Sequence, residues 1–428
     1  MTNPDPISHL TDGHPRWEPP DGRHVKSPGY QRRGRGKLCL VQTFIGPQGS
    51  LSTQPTRRAL DFQQRPILVF WETTKACLLS CRHCRATALS TAMPGELSSR
   101  AGHQLLEQVA GFGKPAPILI LTGGDCLMRP DLLELTAHAR QLGLTVALSP
   151  SVTPRLTPAA MAPFMELGVR VVSISLDGAT AATHDRVRGV PGHFDATVAA
   201  LSWLREAGFK VQVNTTVMRE NMTELADVAA MLHGLRVPLW EVFFLVSVGR
   251  GTAVSATTAA ENEDVSHFLF DAAQYGFLVR TVEAPFFRRV ATWRRGLGEM
   301  DDPQEYFGLG PVYKDLRSRL RQRLGPATKR AMAPSVATRD GMGVIFVGHD
   351  GSVRPSGFLP HSLGNVQVQE LAEIYRENPM LRAIRASEFS GRCGECAFRS
   401  ICGGSRARAF AATGDPLGED PGCSFGVA

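Results

Sequence analysis

The sequence predicts an α/β fold with a parallel sheet, followed by a smaller cysteine-bearing unit. Three observations carry this. Apolar, strand-like runs alternate with amphipathic helices through six units between residues 64 and 255. Two glycine- or cysteine-rich motifs each stand directly after a strand. Seven of the nine cysteines fall in two tight clusters, one early and one late. Parallel neighbours need crossover helices, so strand–helix units in series imply a parallel sheet. That sheet is either open and doubly wound or a partial barrel. In both, the loops at the carboxyl ends of the strands build the site.

Taken in order, Ile67–Trp71 reads as the first strand, and a helix follows near Ser99–Gly111 with Leu105, Leu106, Val109 and Phe112 at helical spacing. Ile118–Thr122 is a second strand, and Pro130–Leu142 a helix carrying Leu132, Leu135 and Leu142 on one face. Further strands are expected at Thr145–Ser149, Val169–Leu176, Val211–Met218 and Val242–Val246, with helices at Pro158–Leu167, Phe194–Ala207 and Met222–His233 between them. Residues 256–340 break the alternation and read as a helical, basic bridging region. From residue 341 the run Val344–Val347, the turn Asp350-Gly351 and Ser352–Arg354 read as a β-hairpin. The expected organisation is therefore a basic, disordered extension over 1–62, an α/β core over 63–255, the bridge over 256–340 and a cysteine-bearing unit over 341–428.

Composition narrows the class. Hydrophobic content of 43% and charged content of 20% describe an ordinary globular chain. No segment approaches the roughly 20 apolar residues that span a bilayer, and the N-terminus lacks a secretory layout, so a soluble cytoplasmic protein without membrane partners is expected. The net charge is +7, and residues 1–60 hold nine Lys/Arg against four acids. That stretch has no apolar period and reads as a solvated extension, so no nucleic-acid partner is expected from it. Clustered thiols without a secretory signal point to metal or redox sites rather than disulfides. Cys39 and Cys126, outside the clusters, read as incidental.

The first cluster, Cys77-Leu-Leu-Ser-Cys81-Arg-His-Cys84, has C-x3-C-x2-C spacing. Three thiolates hold three irons of a [4Fe–4S] cube and leave the fourth open to a small chelating molecule. Structural zinc sites usually complete four ligands with a second pair downstream. Gly123-Gly124-Asp125 follows the second strand on the same rim. Glycines permit close backbone approach, and the carboxylate is suited to accept from an ammonium group. Ser175 and Asp177, two apart at the end of the fourth strand, suit hydrogen bonds to a ribose or carboxylate. Arg186 and Arg188, expected in the following loop, suit a bidentate carboxylate pairing. His83 is read as a non-ligand ring. The late cluster, Cys393, Cys396, Cys402 and Cys423, provides four ligands, enough for a closed zinc site or a fully ligated cube.

These motifs resemble the radical SAM superfamily over roughly residues 64–428. Cys77, Cys81 and Cys84 match its cluster motif, and Gly123-Gly124-Asp125 its Gly-Gly-Glu/Asp element. The run from Cys393 to Cys423 is similar to the SPASM/Twitch subgroup, and within it to the enzymes of alternative haem and dissimilatory-haem synthesis. The resemblance implies a partial (β/α)6 barrel with a small C-terminal auxiliary iron–sulfur domain. It also implies two [4Fe–4S] clusters and S-adenosylmethionine, contacted by His83, Gly123, Gly124, Asp125, Ser175, Asp177 and Arg188. The activity implied is that of an oxidoreductase: reductive cleavage to a 5′-deoxyadenosyl radical, then hydrogen abstraction, with an external electron donor. Full SPASM domains carry further cysteines where this chain has Ser356 and Arg406, so one auxiliary cluster is expected rather than two.

The resemblance implies a tetrapyrrole substrate, whose carboxylates the basic stretch over residues 288–330 is suited to meet; a solvated basic helix is the other reading of that stretch. The alternatives are a maturase of a ribosomal peptide or partner protein, and, from another class, a non-enzymatic metal-binding scaffold.

Overall fold

The computed structural model describes residues 61–252, 255–298, 302–334 and 338–426, together with a short antiparallel pair, β1 (Phe44–Ile45) and β2 (Leu51–Ser52). The remainder of the expected N-terminal extension lies outside the described residues.

The core is one sheet. Its parallel strands are β3 (Leu68–Glu72), β4 (Ile118–Thr122), β5 (Thr145–Leu148), β6 (Val171–Ser175), β7 (Lys210–Val217), β8 (Leu239–Phe244) and β9 (Leu278–Val282), paired in sequence order. The crossovers run through α1 (Ser99–Ala110), α2 (Leu132–Gln141), α3 (Pro158–Glu166), α4 (Ala181–Arg188), α5 (His193–Glu206), α6 (Leu225–Gly234) and α7 (Ala259–Ala272). Alternation sets the two faces: on β7 the odd-numbered Val211, Val213, Thr215 and Val217 are buried, while the even-numbered residues are half-buried toward the interior of the curve. Val69, Trp71, Leu119, Leu121, Val172, Ile174, Trp240 and Val242 make the helix-facing core. Each such side chain contributes about 1.5–3 kcal/mol of burial.

Helix starts follow local chemistry. The hydroxyls of Ser98, Thr157 and Thr180 accept from backbone N–H groups of α1, α3 and α4, and Thr258 with Glu261 forms a capping box on α7.

Two expectations change. The stretch 256–340 is not purely helical, because β9 adds a seventh parallel strand between α7 and α8 (Phe286–Leu297). Only five residues long, and followed by arginine-rich helices, β9 carries too brief an alternation to stand out. The helices α9 (Pro303–Phe307) and α10 (Pro311–Leu324) complete the stretch. Nor is the C-terminal unit separate from the core sheet. Beyond the two-residue β10 (Arg339–Asp340), the expected hairpin forms as β11 (Gly343–Val347) and β12 (Ser352–Arg354), and β11 pairs in parallel with β3. β13 (Gly364–Asn365) closes that edge. The helices α11 (Leu371–Glu377), α12 (Pro379–Ala386), α13 (Gly391–Glu395) and α14 (Arg406–Thr413) finish the chain. No helix among the described residues is long and apolar enough to cross a membrane.

Candidate functional site

The first cysteine cluster sits on the loop leaving β3, at the carboxyl rim of the sheet. The Cys77 amide donates to Leu89 O at 2.7 Å, and the Leu79 amide lies 3.4 Å from Cys77 Sγ. The glycines after β4 have a packing reason. A Cβ on Gly124 would lie 2.5 Å from Ala76 O, and one on Gly123 would lie 2.6 Å from Thr74 O. The two loops touch backbone to backbone, with the Gly124 and Asp125 amides donating to Thr74 O and Ala76 O.

Asp125 is fully buried and already engaged. Its Oδ1 accepts from the amides of Leu127 and Ser151, and its Oδ2 accepts from Thr153 Oγ1 at 2.9 Å. This carboxylate fixes Ser151, whose hydroxyl donates to Gly124 O and lies 3.7 Å from Cys77 Sγ. Burial raises the Asp125 pKa, opposed chiefly by the Thr153 hydrogen bond.

Asp177 and Arg188 also turn to each other. Their side chains pair at 2.6 Å, and Arg188 reaches Cys81 Sγ at 3.7 Å. Asp177 Oδ1 accepts from the Thr216 amide. Burial pushes the Asp177 carboxyl up, but Arg188 and His83 more than offset it and the net shift is downward. Arg188 belongs to α4, not to the expected loop, and Arg186 on the same helix points outward to Glu220. His83 Nε2 lies 3.5 Å from Asp177 Oδ2, and burial lowers its pKa to about 4, so the ring is neutral. Ser175 sits half-buried at the end of β6.

A further residue escaped sequence reasoning. Arg250, in the loop after β8, donates from Nε to Cys81 O and from Nη1 to Ala88 O, while its amide donates to Cys84 O. Neighbouring Gly249 has φ +60°, and a Cβ there would collide with the carbonyls of Cys84 and Arg85. The available signal was Gly249-Arg250-Gly251 just beyond a strand's carboxyl end.

The second cluster lines one pocket, together with Arg289, Phe398, Asp420 and Phe425. Amides of Asp420, Phe398 and Gly404 stand 3.4–3.5 Å from the sulfurs of Cys393, Cys396 and Cys402. Arg406 Nη2 approaches Cys393 Sγ at 3.7 Å. Several cations of the basic stretch expected to meet substrate carboxylates are engaged within the protein. Arg288 is buried and donates to Ile401 O and Thr338 O, beside the Cys402 loop. Arg289 pairs with Glu263, Arg294 with Asp271, and Arg323 with Asp227. Arg288, Arg289 and Arg294 thus spend their charges on carbonyls and acids within the fold, while the Arg323 pair lies at the surface.

A family model described as the radical SAM superfamily matches residues 71–232. Over 364 residues, 84% of this chain and 87% of the relative, the sequence is 35% identical to an AdoMet-dependent heme synthase of Oleidesulfovibrio alaskensis. The chain belongs to the radical SAM superfamily. It is also 30% identical to a pre-heme d1 synthase of Dinoroseobacter shibae, covering 83% of this chain and 85% of that one. Among solved structures, Streptococcus suis SuiB bound to precursor peptide SuiA shares the fold, with a TM-score of 0.59 at 12% identity over 85% of this chain and 76% of that one. Membership carries with it a [4Fe–4S] cluster and S-adenosylmethionine.

The residues of this radical SAM chain fit that pair. Three thiols share one loop on the rim. Around them His83 Nδ1, Arg188 Nε and Arg250 Nη2 are buried without hydrogen-bond partners in the protein. Buried polar groups are normally satisfied, so these three mark where a polar ligand belongs. The second site fits a cube through the chemistry of its donors, since amide N–H groups directed at cysteine sulfur are a recognised control on cluster potential. Among the described residues no three His, Cys, Asp or Glu groups converge as a single-ion site. Cys126 is wholly buried in the apolar core.

Proposed function

We propose that this chain is an oxidoreductase that alters the side chains of an iron tetrapyrrole. Cys77, Cys81 and Cys84 hold its first cube, and Cys393, Cys396, Cys402 and Cys423 hold a second. The observation that carries the substrate is the 35% identity with a heme synthase over 84% of this chain and 87% of the relative. When bound, the first cube and S-adenosylmethionine supply a 5′-deoxyadenosyl radical for hydrogen abstraction, and the second cube takes or relays an electron. An external donor provides the reducing electron.

The protein's own part is positional. Asp125, through Ser151, and Arg188 with Arg250 hold the cysteine loop, and the unpartnered polar atoms near it receive the cofactor. A tetrahedral zinc site would need thiolate sulfurs about 3.8 Å apart around one ion. The four late cysteines line one pocket, which supports a shared metal centre there, and beside the first cluster a cube is the favoured occupant. Ser356 and Arg406, standing where further cysteines would serve another cluster, are both buried and hydrogen-bonded within the protein, which supports a single auxiliary cube.

The test is anaerobic reconstitution with reductant, S-adenosylmethionine and an iron porphyrin bearing carboxylate side chains. 5′-Deoxyadenosine and porphyrin mass are then read by mass spectrometry. Expected are about eight irons per chain, falling to about four in a Cys77→Ala/Cys81→Ala/Cys84→Ala variant that no longer cleaves the cofactor. Cofactor cleavage with an unchanged porphyrin mass sinks the substrate reading. About four irons in the unmodified protein sinks the second cube.

A further inference from the structure

A second cavity opens beside the cysteine loop, where the end of β3 meets the loop after β8 and the segment after β12. Glu72, Lys75, Arg85, Gly249, Arg354 and Phe358 are among its lining residues. Three cations and one acid meet there, and their bonding differs. Glu72 is committed: its Oε2 accepts from Arg85 Nη1 at 2.9 Å, and its Oε1 lies 3.4 Å from His349 Nδ1. Burial pushes the Glu72 carboxyl up, but Arg85 and His349 outweigh it and hold it ionised. That ion pair is neutral as a unit. Lys75 and Arg354, both half-buried, have no ion pair and no side-chain hydrogen bond among the described residues.

This contrasts with the arginines of α8 and α10, several of which pair with acids. Apolar and aromatic groups line the same cavity. The Arg85 guanidinium lies 4.6 Å from the Phe346 ring centroid and 5.8 Å from that of Phe358, and Val248 and Pro360 line the same cavity. Two unpaired cations beside an aromatic wall suit a flat ligand carrying peripheral negative charges, because charged hydrogen bonds supply orientation while stacking supplies area.

We propose that Lys75 and Arg354 form the carboxylate-binding subsite of this enzyme, gripping substrate side chains at the flank of the barrel next to the cysteine loop. The proposal rests on the tetrapyrrole reading above and names the residues that recognise it. It replaces the basic stretch Arg288–Arg323 as the anionic docking site. The same chemistry would suit the carboxylate of S-adenosylmethionine, so the experiment separates the two sources.

The test is equilibrium titration of the cluster-loaded protein, followed by absorbance, with an iron porphyrin bearing four propionates and with its tetra-amide. S-adenosylmethionine binding is measured in parallel by equilibrium dialysis. Lys75→Gln and Arg354→Gln should each weaken the acid porphyrin about tenfold, the usual scale for one charged hydrogen bond. They should leave the amide form and S-adenosylmethionine unchanged, and Lys75→Arg should restore much of the loss. Equal affinity of the unmodified protein for acid and amide overturns the subsite but not the tetrapyrrole reading. Loss of S-adenosylmethionine affinity in the variants, with porphyrin binding intact, assigns the cations to the cofactor and also overturns it. Binding of neither porphyrin removes the tetrapyrrole reading and the subsite together.

Discussion

Arg188 stands between Asp177 and Cys81: its guanidinium is 2.6 Å from Asp177 Oδ2 and 3.7 Å from Cys81 Sγ. One cation thus compensates a buried carboxylate from the sheet and steadies the cysteine loop.

Arg188→Met leaves Asp177 buried without its cation. Removing one partner of a buried pair costs about 3–5 kcal/mol, seen as a lower denaturation midpoint at neutral pH. The sign with pH follows from the depressed Asp177 pKa. In the unmodified protein this carboxylate contributes stability above its ordinary value, and that contribution is lost as pH falls through the depressed one. In Arg188→Met the cost shrinks on acidification, because protonated Asp177 needs no cation. An Asp177→Asn/Arg188→Met double variant should lie well above the sum of the two single losses. Strict additivity would show that the two side chains do not interact.

Glu283, at the end of β9, gives the opposite sign. It is buried with φ +57°, accepts from Ser405 Oγ, and its backbone carbonyl accepts from Arg408. Burial and then Asp340 raise its pKa, with Asp420 adding to them, against Ser405 and Arg408. The folded state therefore holds this proton more tightly than the unfolded chain. Stability is fully present below the ordinary carboxylate value and declines as pH rises from there through the raised folded value. Glu283→Gln keeps an acceptor for Ser405 and removes the charge. Its melting temperature relative to the parent should rise between pH 6 and pH 9. A difference independent of pH would mean that Glu283 is ionised throughout.

The packing of the rim glycines predicts a defect in cluster loading. Gly124→Ala puts a methyl 2.5 Å from Ala76 O, in a place where backbone must move. The cysteine loop shifts, and iron per chain should drop by about four while the late cluster stays loaded. Undiminished iron, with normal cofactor binding, would show that the loop tolerates the displacement.

Arg319 and Arg323 on α10 pair with Asp227 at exposed positions. Exposed pairs contribute about 0–1 kcal/mol. An Arg319→Ala/Arg323→Ala variant should therefore melt within a few degrees of the parent and bind the iron porphyrin unchanged. A large loss of porphyrin affinity would return the basic stretch to the substrate site.

Much of this molecule was legible in its residues. Ile118–Thr122 forms the strand its pattern predicts, and four of the five expected helices fall within a residue or two of their limits, because each combines a clear apolar face with a capping hydroxyl or a flanking turn. The rim motifs were legible because a strand's carboxyl end is where such a fold builds its site. Side-chain pairing was not. Asp125 and Asp177 are sound candidates for ligand contacts by position, yet Asp125 also accepts from Thr153, well along the chain, and Asp177 pairs with Arg188 on the next helix. Lys75 and Arg354 show the same limit in reverse, since only the three-dimensional neighbourhood reveals which of many cations lacks an acid.

The pairing of β11 with β3 has a consequence for how the protein is made. Val344 lies against Leu68, so the strand bearing the cysteine loop waits for a neighbour some 276 residues further along the chain, the difference between those two positions. At ribosomal rates of about 5–20 residues per second, that interval is roughly 14–55 seconds. Through it, the three thiols are already outside the ribosome on a strand with one open edge. The rim that carries the cysteine loop thus gains its last parallel neighbour only when about four-fifths of the chain has been made.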